Sequence, residues 1–232
     1  FTVSAIELGQ AASKEECHTV EASWGWLAAQ AGGYHSCALD SAGEITCWGR
    51  DDDGEVSEVP EGSYVDLQSG FYHSCALDAE GLATCWGYSG YSLIEDTPTE
   101  PLTALSAGYY HNCGIDSDGA LQCWGKDNEG VVSEPPEGSF VSVSSGRDHS
   151  CAIDDLGIRC WGRGDTGQTT VPTDLLNPRS VSAGIYHTCA LADDGVHCWG
   201  AEGDTQGRPN QGQSLVPADL SNPVSVSAGR EH

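Results

Sequence analysis

Residues 31–49 read AGGYHSCALDSAGEITCWG, and four close copies of this unit follow along the chain. The copies are SGFYHSCALDAEGLATCWG at 69–87, AGYYHNCGIDSDGALQCWG at 107–125, SGRDHSCAIDDLGIRCWG at 145–162 and AGIYHTCALADDGVHCWG at 183–200. The histidine recurs every 38 residues from His35 to His187, and a sixth copy begins as VSAGREH and ends at His232. Self-similarity with a period of this length indicates a solenoid, a propeller or another repeat array.

Each unit predicts a β-hairpin. His35, Cys37 and Leu39 point to one side of a strand because side chains alternate with a period of two. A glycine-containing turn follows, and the segment that ends in CWG is the returning strand. If Cys37 faces Cys47 across the hairpin, Leu39 faces Ile45. The turn is one residue shorter in the fourth and fifth copies. When the cysteines of these copies are placed opposite each other, their apolar residues again face each other as well.

Cysteines that face one another across a hairpin lie near the separation that a disulfide requires. The register therefore predicts five bridges, Cys37 to Cys47, Cys75 to Cys85, Cys113 to Cys123, Cys151 to Cys160 and Cys189 to Cys198. The rival interpretation is a metal site of one histidine and two cysteines, but structural zinc uses four ligands with spacings such as C-x-x-C, which do not occur here. Cys17 has no partner in the pattern and is predicted to be unpaired within the repeats.

The residues between one CWG and the next copy leave room for two more short strands. We therefore predict an all-β fold, a β-propeller of four-stranded blades with a 38-residue repeat and six or seven blades when complete. The repeated tryptophans are expected to pack between blades. Residues 1–30 are assigned to a divergent N-terminal blade segment, and residues 31–232 to five full repeats plus the start of a sixth, all in one domain. Either the N-terminal strands complete the blade that VSVSAGREH begins and close a ring, or the sequence is part of a longer protein. The CWG missing near position 10 and the abrupt end favour a fragment of a longer chain.

The chain is strongly acidic, with 35 Asp and Glu residues against 9 Lys and Arg and a formal net charge of −26. The basic residues are scattered, so nucleic acids and anionic membranes are poor partners. No apolar run approaches the length of about 18 residues that predicts a membrane helix, so we expect no membrane insertion. Paired cysteines persist as disulfides in oxidising compartments, which predicts an extracellular, periplasmic or cell-surface location.

The unit VSAG-x-x-H-x-C-A-L-x-x-x-G-x-x-x-C-W-G resembles the repeat of the regulator of chromosome condensation family over residues 31–232. This resemblance implies four-stranded blades, usually seven to a ring, in a scaffold for protein contacts. The paired cysteines and the short period resemble the family's bacterial, exported branch. The family's nuclear exchange factor acts on a nuclear GTPase and contacts chromatin through basic segments, so its activity is not expected from this acidic chain.

No catalytic constellation stands out, because the chain lacks a G-x-S-x-G elbow, a phosphate loop and an H-E-x-x-H motif. We therefore predict no enzymatic activity and no cofactor. Six of the eight histidines are repeat positions and are expected to serve packing and hydrogen bonding. Asp51, Asp52, Asp53 and Glu55 superficially suggest calcium, but their spacing is not that of an EF-hand loop, and we predict no metal.

The copies differ most at the two residues between the repeated glycine and histidine. In a propeller these positions lie on one rim near the central axis. Tyrosine and arginine are frequent anchors of protein-binding surfaces. We predict a partner-binding rim formed by Tyr34, Phe71, Tyr72, Tyr109, Tyr110, Arg147, Asp148 and Tyr186. The alternative is that these aromatic side chains merely pack under loops.

The expected function is a non-enzymatic, secreted or cell-surface scaffold that binds a protein partner or assembles with its own kind. A carbohydrate-binding or adhesive module is the first alternative, because tyrosine and tryptophan rings also stack on sugars. The second alternative follows from the resemblance, since the family includes a secreted inhibitor of an extracellular enzyme.

Overall fold

The structure is a computed structural model that describes residues 25–201 and 212–229. Within these residues, fifteen strands form five antiparallel sheets of three strands each. The strands are β1 (Trp26–Ala31), β2 (His35–Asp40), β3 (Ile45–Gly49), β4 (Tyr64–Ser69), β5 (His73–Asp78), β6 (Ala83–Gly87), β7 (Leu102–Ala107), β8 (His111–Asp116), β9 (Leu121–Gly125), β10 (Phe140–Ser145), β11 (His149–Asp154), β12 (Gly157–Gly162), β13 (Ser180–Ala183), β14 (His187–Ala192) and β15 (Gly195–Gly200). A short 3₁₀ turn spans Gly90–Ser92, and no described helix is both long and apolar enough to cross a membrane.

Each repeat unit contributes the middle and last strands of one sheet, and the predicted hairpin register is confirmed. In the first sheet Cys37 faces Cys47 and Leu39 faces Ile45. In the fourth and fifth sheets, where the turn is shorter, the cysteines again face one another. All five hairpins carry their disulfide, with Cα atoms 4.0 or 4.1 Å apart. The bridges therefore join residues that the backbone ladder already places opposite each other.

The described sheets have three strands where the sequence predicted four. The segment between β3 and β4 is a compact loop instead of a further strand. Asp51 Oδ1 accepts hydrogen bonds from the N–H groups of Val56 and Ser57, both at 2.9 Å, and Glu58 N–H donates to the Gly54 carbonyl. Because these backbone donors are used inside the loop, they are not available for a sheet ladder.

The apolar core lies between successive sheets. Leu39 of the first sheet packs in one cluster with Leu67 and Trp86 of the second. Leu77 of the second sheet packs in the same way with Trp124 of the third, and the pattern continues through the fifth sheet. A three-stranded sheet cannot bury both of its faces alone, so each one depends on its neighbours, as in other repeat proteins.

The repeated tryptophans pack between sheets as predicted in four of the five copies. Each of these four indoles is at most 9% exposed and donates its N–H to a carbonyl in the loop that precedes its sheet. The four are Trp86, Trp124, Trp161 and Trp199. In Trp124 the acceptor is the Leu93 carbonyl at 3.1 Å. Trp48 differs, because it is 49% exposed and the unit that would precede its sheet lies outside the described residues.

The repeated histidines also join neighbouring sheets. His73 Nε2 donates to Asn112 Oδ1 at 2.6 Å, and His111 Nε2 lies 2.7 Å from Ser150 Oγ. In each case the partner directly follows the histidine of the next sheet. Equivalent hydrogen bonds join His35 to Ser74 and His149 to Thr188. All of these histidines are at most 3% exposed, so the bonds lie inside the protein.

Burial changes the titration of these imidazoles. It lowers the pKa of His73 and of His111 to about 4, against an ordinary value of 6.5. For His73 the hydrogen bond to Asn112 opposes this shift without reversing it. Burial, assisted by the neighbouring His111 and His187, lowers the pKa of His149 to about 3. The three side chains are therefore neutral at neutral pH.

We predict that Trp124→Ala destabilises the protein by about 3–5 kcal/mol, because it leaves a cavity between two sheets and removes the hydrogen bond from the indole to the Leu93 carbonyl. Trp48→Ala is the matched control and should cost about 1 kcal/mol or less, because that indole is half exposed. Urea unfolding under non-reducing conditions measures both values. Equal losses would contradict the inter-sheet role of Trp124.

We also predict that stability falls as the pH is lowered from 6.5 to 4. The folded pKa of each buried histidine lies below its ordinary value, so the unfolded chain binds more protons in this window. Each such histidine should remove about 1.4 kcal/mol per pH unit below its unfolded pKa. Urea unfolding at a series of pH values checks this slope. A free energy of unfolding that stays constant over the window would show that the imidazoles are not buried as described.

Candidate partner-binding rim

One face of the molecule collects the two residues between each repeated glycine and histidine, together with the residue after each CWG. Backbone hydrogen bonds fix this arrangement: Arg50 N–H donates to the Tyr34 carbonyl at 2.9 Å, and Phe71 N–H donates to the Gly108 carbonyl of the next sheet at 3.1 Å. Equivalent bonds occur in neighbouring copies. We call this face the rim surface, and we include in it two further loop residues, Asp52 and Tyr91. Its members are Tyr34, Arg50, Asp52, Phe71, Tyr72, Tyr88, Tyr91, Tyr109, Tyr110, Lys126, Arg147, Asp148, Arg163 and Tyr186.

Aromatic rings of successive sheets stack on one another across the rim surface. Phe71 stacks on Tyr109 with ring centroids 3.8 Å apart, and Tyr72 stacks on Tyr110 at 5.6 Å. Tyr34 meets the edge of Phe71 at 5.2 Å. The rings meet because equivalent positions of adjacent sheets carry aromatic side chains. Such pairs contribute about 0.5–1.5 kcal/mol each beyond their buried area, so the rings hold one another in place.

The structure brings all eight of the predicted rim residues into one connected surface. Beyond the five stacked rings, the Arg147 guanidinium lies 5.6 Å from the ring centroid of Tyr109 and 5.5 Å from that of Tyr186. Arg147 also donates a hydrogen bond to the Tyr186 hydroxyl. Asp148 is a mostly buried carboxylate 3.3 Å from Arg147 Nε. The aromatic half of the surface is thus continuous with a charged half.

Two loop tyrosines and a lysine extend the aromatic cluster. Tyr88 and Tyr91 lie 6.4 and 5.5 Å from the ring centroid of Tyr110. The Lys126 ammonium lies 4.8 Å from the ring centroid of Tyr91 and 5.3 Å from that of Tyr110. The cluster therefore contains six tyrosines and one phenylalanine from the first three sheets and their loops.

The sequence pattern did not predict six residues of the rim surface: Arg50, Asp52, Tyr88, Tyr91, Lys126 and Arg163. Four of them directly follow CWG, a position that also varies between copies, so the same comparison of repeats could have found them. Tyr91 lies in an irregular loop whose sequence is not repeated from copy to copy, so a comparison of the copies could not have predicted its position. Arg50 lies 5.4 Å from the ring centroid of Tyr34, much as Lys126 lies over Tyr91.

Two tyrosine hydroxyls of the cluster, those of Tyr109 and Tyr110, stay protonated at neutral pH. Burial raises the pKa of Tyr110 to about 12, and a hydrogen bond with Tyr72 acts in the same direction. Burial and a hydrogen bond with Tyr72 also raise the pKa of Tyr109. The side chains of Tyr109 and Tyr110 are therefore uncharged at neutral pH.

In the charged half, opposite charges lie close together. Asp148 accepts a hydrogen bond from Asn128 Nδ2 at 2.7 Å and lies 3.7 Å from Arg163. Arg163 Nε donates to Asp165 at 2.8 Å. A cleft of about 340 Å³ opens beside them, lined by Asp127, Asn128, Glu129, Asp148, Arg163, Gly164 and Asp165. This cleft is polar and suits charged groups better than an apolar ligand.

Three carboxylates of the acidic loop that superficially suggested calcium have partners within the protein. Asp51 accepts hydrogen bonds from Val56 and Ser57, which lowers its pKa, and Asp52 pairs with Arg50 at 2.6 Å. Glu55, at 1% exposure, accepts from a backbone N–H of the same loop. In the described residues, no group of three His, Cys, Asp or Glu side chains is arranged to hold a metal ion. Cys17, most of segment 1–30 and the end of the sixth copy lie outside those residues.

Solved structures with the same fold include two plant receptor ectodomains. The ectodomain of the Physcomitrella patens receptor kinase CR4 is 29% identical, with a TM-score of 0.69 over 85% of this chain and 55% of that one. The CRINKLY WD40 ectodomain of the Arabidopsis thaliana receptor kinase ACR4 is 26% identical, with a TM-score of 0.63 over 76% of this chain and 65% of that one.

The structure of yeast RCC1 (Prp20), solved bound to Kap60, is similar to this chain in fold. The two sequences are 18% identical, and the TM-score is 0.70 over 88% of this chain and 66% of that one. This chain thus spans between 55% and 66% of the length of these three structures. A search of curated proteins gave no sequence match.

The regulator of chromosome condensation (RCC1) repeat model matches the chain in five segments, residues 28–55, 64–92, 102–131, 140–168 and 179–206. Each segment contains the hairpin of one of the five described sheets, and the first four also extend into the loop that follows. The match confirms the resemblance based on the repeated His, Gly and Trp positions, and the five disulfides fit the family's disulfide-containing branch. The chain belongs to the regulator of chromosome condensation (RCC1) repeat family.

Proposed function

We propose that this protein is a non-enzymatic extracellular or cell-surface scaffold that binds a protein partner through the rim surface. The observation that supports this most strongly is the continuous cluster of seven aromatic rings, which ends in two half-exposed tyrosines. Tyr34 is 48% exposed and Tyr91 is 49% exposed, although the rings beside them are partly buried. Buried tyrosines surrounded by arginine and further rings are typical anchors of protein-binding surfaces.

The rigidity of the cluster also favours binding. Binding loses free energy when flexible side chains must be ordered at the interface, by about 0.5–1.5 kcal/mol for each side chain with many rotamers. In this protein Phe71 and Tyr109 are already stacked at 3.8 Å, and each rim backbone is held by hydrogen bonds to its own sheet or the next. A partner would therefore meet a surface that is ordered in advance.

The loop that carries Tyr91 is held in an unfavourable backbone conformation. Tyr91 and Ser92 have φ values of +62° and +56°, in the left-handed region that side chains with a Cβ disfavour. The loops of the neighbouring copies have Gly54 and Gly130 at the position of Ser92, where glycine adopts a positive φ without this cost. Glu129, at the position of Tyr91 in the next copy, also has a positive φ, so this turn is a feature of the repeated loop, and in the second copy it carries Tyr91 to the rim surface.

The cysteines and the related structures support an extracellular location. Disulfides persist in oxidising compartments, and the described residues contain five of them. Two of the similar structures are receptor kinase ectodomains, and the yeast protein was solved bound to Kap60. These likenesses favour a protein-binding propeller. We further propose that the intact protein has six or seven blades, of which the five described sheets are part.

The proposal predicts that ligands selected against the protein bind at the rim surface. A display library of random peptides and small domains would be selected on the wild-type protein, and its binders measured against Tyr72→Ala/Tyr110→Ala. We expect affinity to fall at least about tenfold, because stacked tyrosines are typical hot spots. Val141→Ala/Leu156→Ala is the matched control, since it removes two exposed apolar side chains far along the sheets from the rim.

Circular dichroism and urea unfolding establish that both double variants remain folded. If the rim variant were unfolded, Tyr34→Ala/Tyr91→Ala would replace it, because both of these rings are half exposed. Unchanged affinity in the folded rim variant would reject the rim surface as the binding site. Binding only to a glycan array, with no protein or peptide ligand, would favour the carbohydrate-binding alternative instead.

A second prediction concerns the strained loop. Ser92→Gly should raise the free energy of unfolding by about 1 kcal/mol, because glycine adopts a positive φ without the clash between Cβ and the backbone. Urea unfolding of the variant beside the wild type measures the change. A decrease in stability would show that the loop is not strained at this residue.

A further inference from the structure

The rim surface carries four cationic side chains and two carboxylates, and the adjoining cleft adds the carboxylates of Asp127, Glu129 and Asp165, so charges nearly balance on this face. The whole protein, by contrast, is strongly acidic. Arg50 pairs with Asp52 at 2.6 Å, and Arg147 lies 3.3 Å from Asp148. Arg163 pairs with Asp165 in the same way. The arginines of the rim are thus compensated locally, while the chain carries a net charge of −26. The rim itself repels neither a positively nor a negatively charged partner strongly. The rest of the protein, however, creates a large negative potential around it.

The ring faces of the rim surface already accept cations. Arg50 lies over Tyr34 at 5.4 Å and over Tyr72 at 5.9 Å, so its guanidinium is shared by two rings of neighbouring sheets. Lys126 and Arg147 each lie over two tyrosine rings in the same manner. Each of these three cations thus lies over two rings of the rim surface, so the spacing between the rings suits a cation.

Ring surface and one carboxylate, that of Asp52, are exposed at the edge of the cluster. Tyr34 and Tyr91 are each about half exposed, and the Asp52 side chain is 68% exposed beside Arg50. A guanidinium or ammonium group from a partner could contact an open ring face and a carboxylate at the same time. Cation–π contact and charge pairing reinforce each other in such an arrangement.

We propose that the partner of the rim surface is a basic protein segment whose arginine and lysine side chains lie on the exposed tyrosine faces. This inference rests on the proposed function and adds the chemistry of the partner. The negative field of the protein draws the segment towards it, and the rings select the site of contact. Arginine is favoured over lysine, because its planar guanidinium stacks on aromatic rings and sheds its hydration more easily.

Three short peptides of equal length provide the test, with arginine, lysine or aspartate alternating with glycine. Fluorescence anisotropy would measure their binding to the wild-type protein and to the variants at low and at high salt. We expect the arginine peptide to bind about two- to fivefold more tightly than the lysine peptide, and the aspartate peptide not to bind. Affinity for both basic peptides should decrease as salt is raised.

The variants separate contact with the rings from general attraction to an acidic protein. In Tyr34→Ala/Tyr91→Ala the preference for arginine should disappear, while weak and salt-sensitive binding common to both basic peptides remains. In Val141→Ala/Leu156→Ala, which leaves the rim intact, the preference should be unchanged. Equal binding of the arginine and lysine peptides to wild type and rim variant alike would overturn the inference, because it would show attraction to charge alone.

The library selection described above separates failure of this inference from failure of the proposed function. Selected ligands that are rich in arginine and depend on the tyrosines would support the inference. Selected ligands that depend on Tyr72 and Tyr110 but are neutral or acidic would overturn it and leave the protein-binding function standing. Selected ligands that bind independently of the rim would overturn both.

Discussion

The contact between neighbouring sheets is the constraint on which the rest of this structure depends. A single sheet of this repeat cannot bury its apolar faces alone, and stacking against its neighbours covers them. Four indoles and four imidazoles therefore lie against a neighbouring sheet or its loop, as Trp124 does with Leu93 and His111 with Ser150. The disulfide of each hairpin keeps its two strands in register, which holds these side chains opposite their partners.

The rim surface is a consequence of this packing. Because the repeated residues fix the spacing between sheets, any two residues at equivalent variable positions come close together. Phe71 and Tyr109 stack for this reason, and so do Tyr72 and Tyr110. Rim side chains can thus change without disturbing the framework, since their backbone hydrogen bonds do not depend on side-chain identity. In the fourth sheet Arg147 and Asp148 occupy the same places as two rings.

Much of the fold could be predicted from the sequence, because a few residues carry strong constraints at a fixed period. The hairpin register followed from Cys37, Leu39 and their partners, and the shortened turns of the later copies tested it. The fourth strand was predicted wrongly for the described sheets, because Asp51 takes up backbone donors in a way that composition alone does not reveal. The eight predicted rim residues do meet, but Tyr91 comes from a loop without a repeated pattern, and its position depends on a local backbone conformation.

A double-mutant cycle on His111 and Ser150 tests the central claim most directly. Their side chains are 2.7 Å apart, both are buried, and they belong to different sheets. If hydrogen bonds of this kind hold the sheets together, His111→Ala and Ser150→Ala should be coupled by about 1 kcal/mol in the free energy of unfolding. Strictly additive effects of the two substitutions would contradict the account.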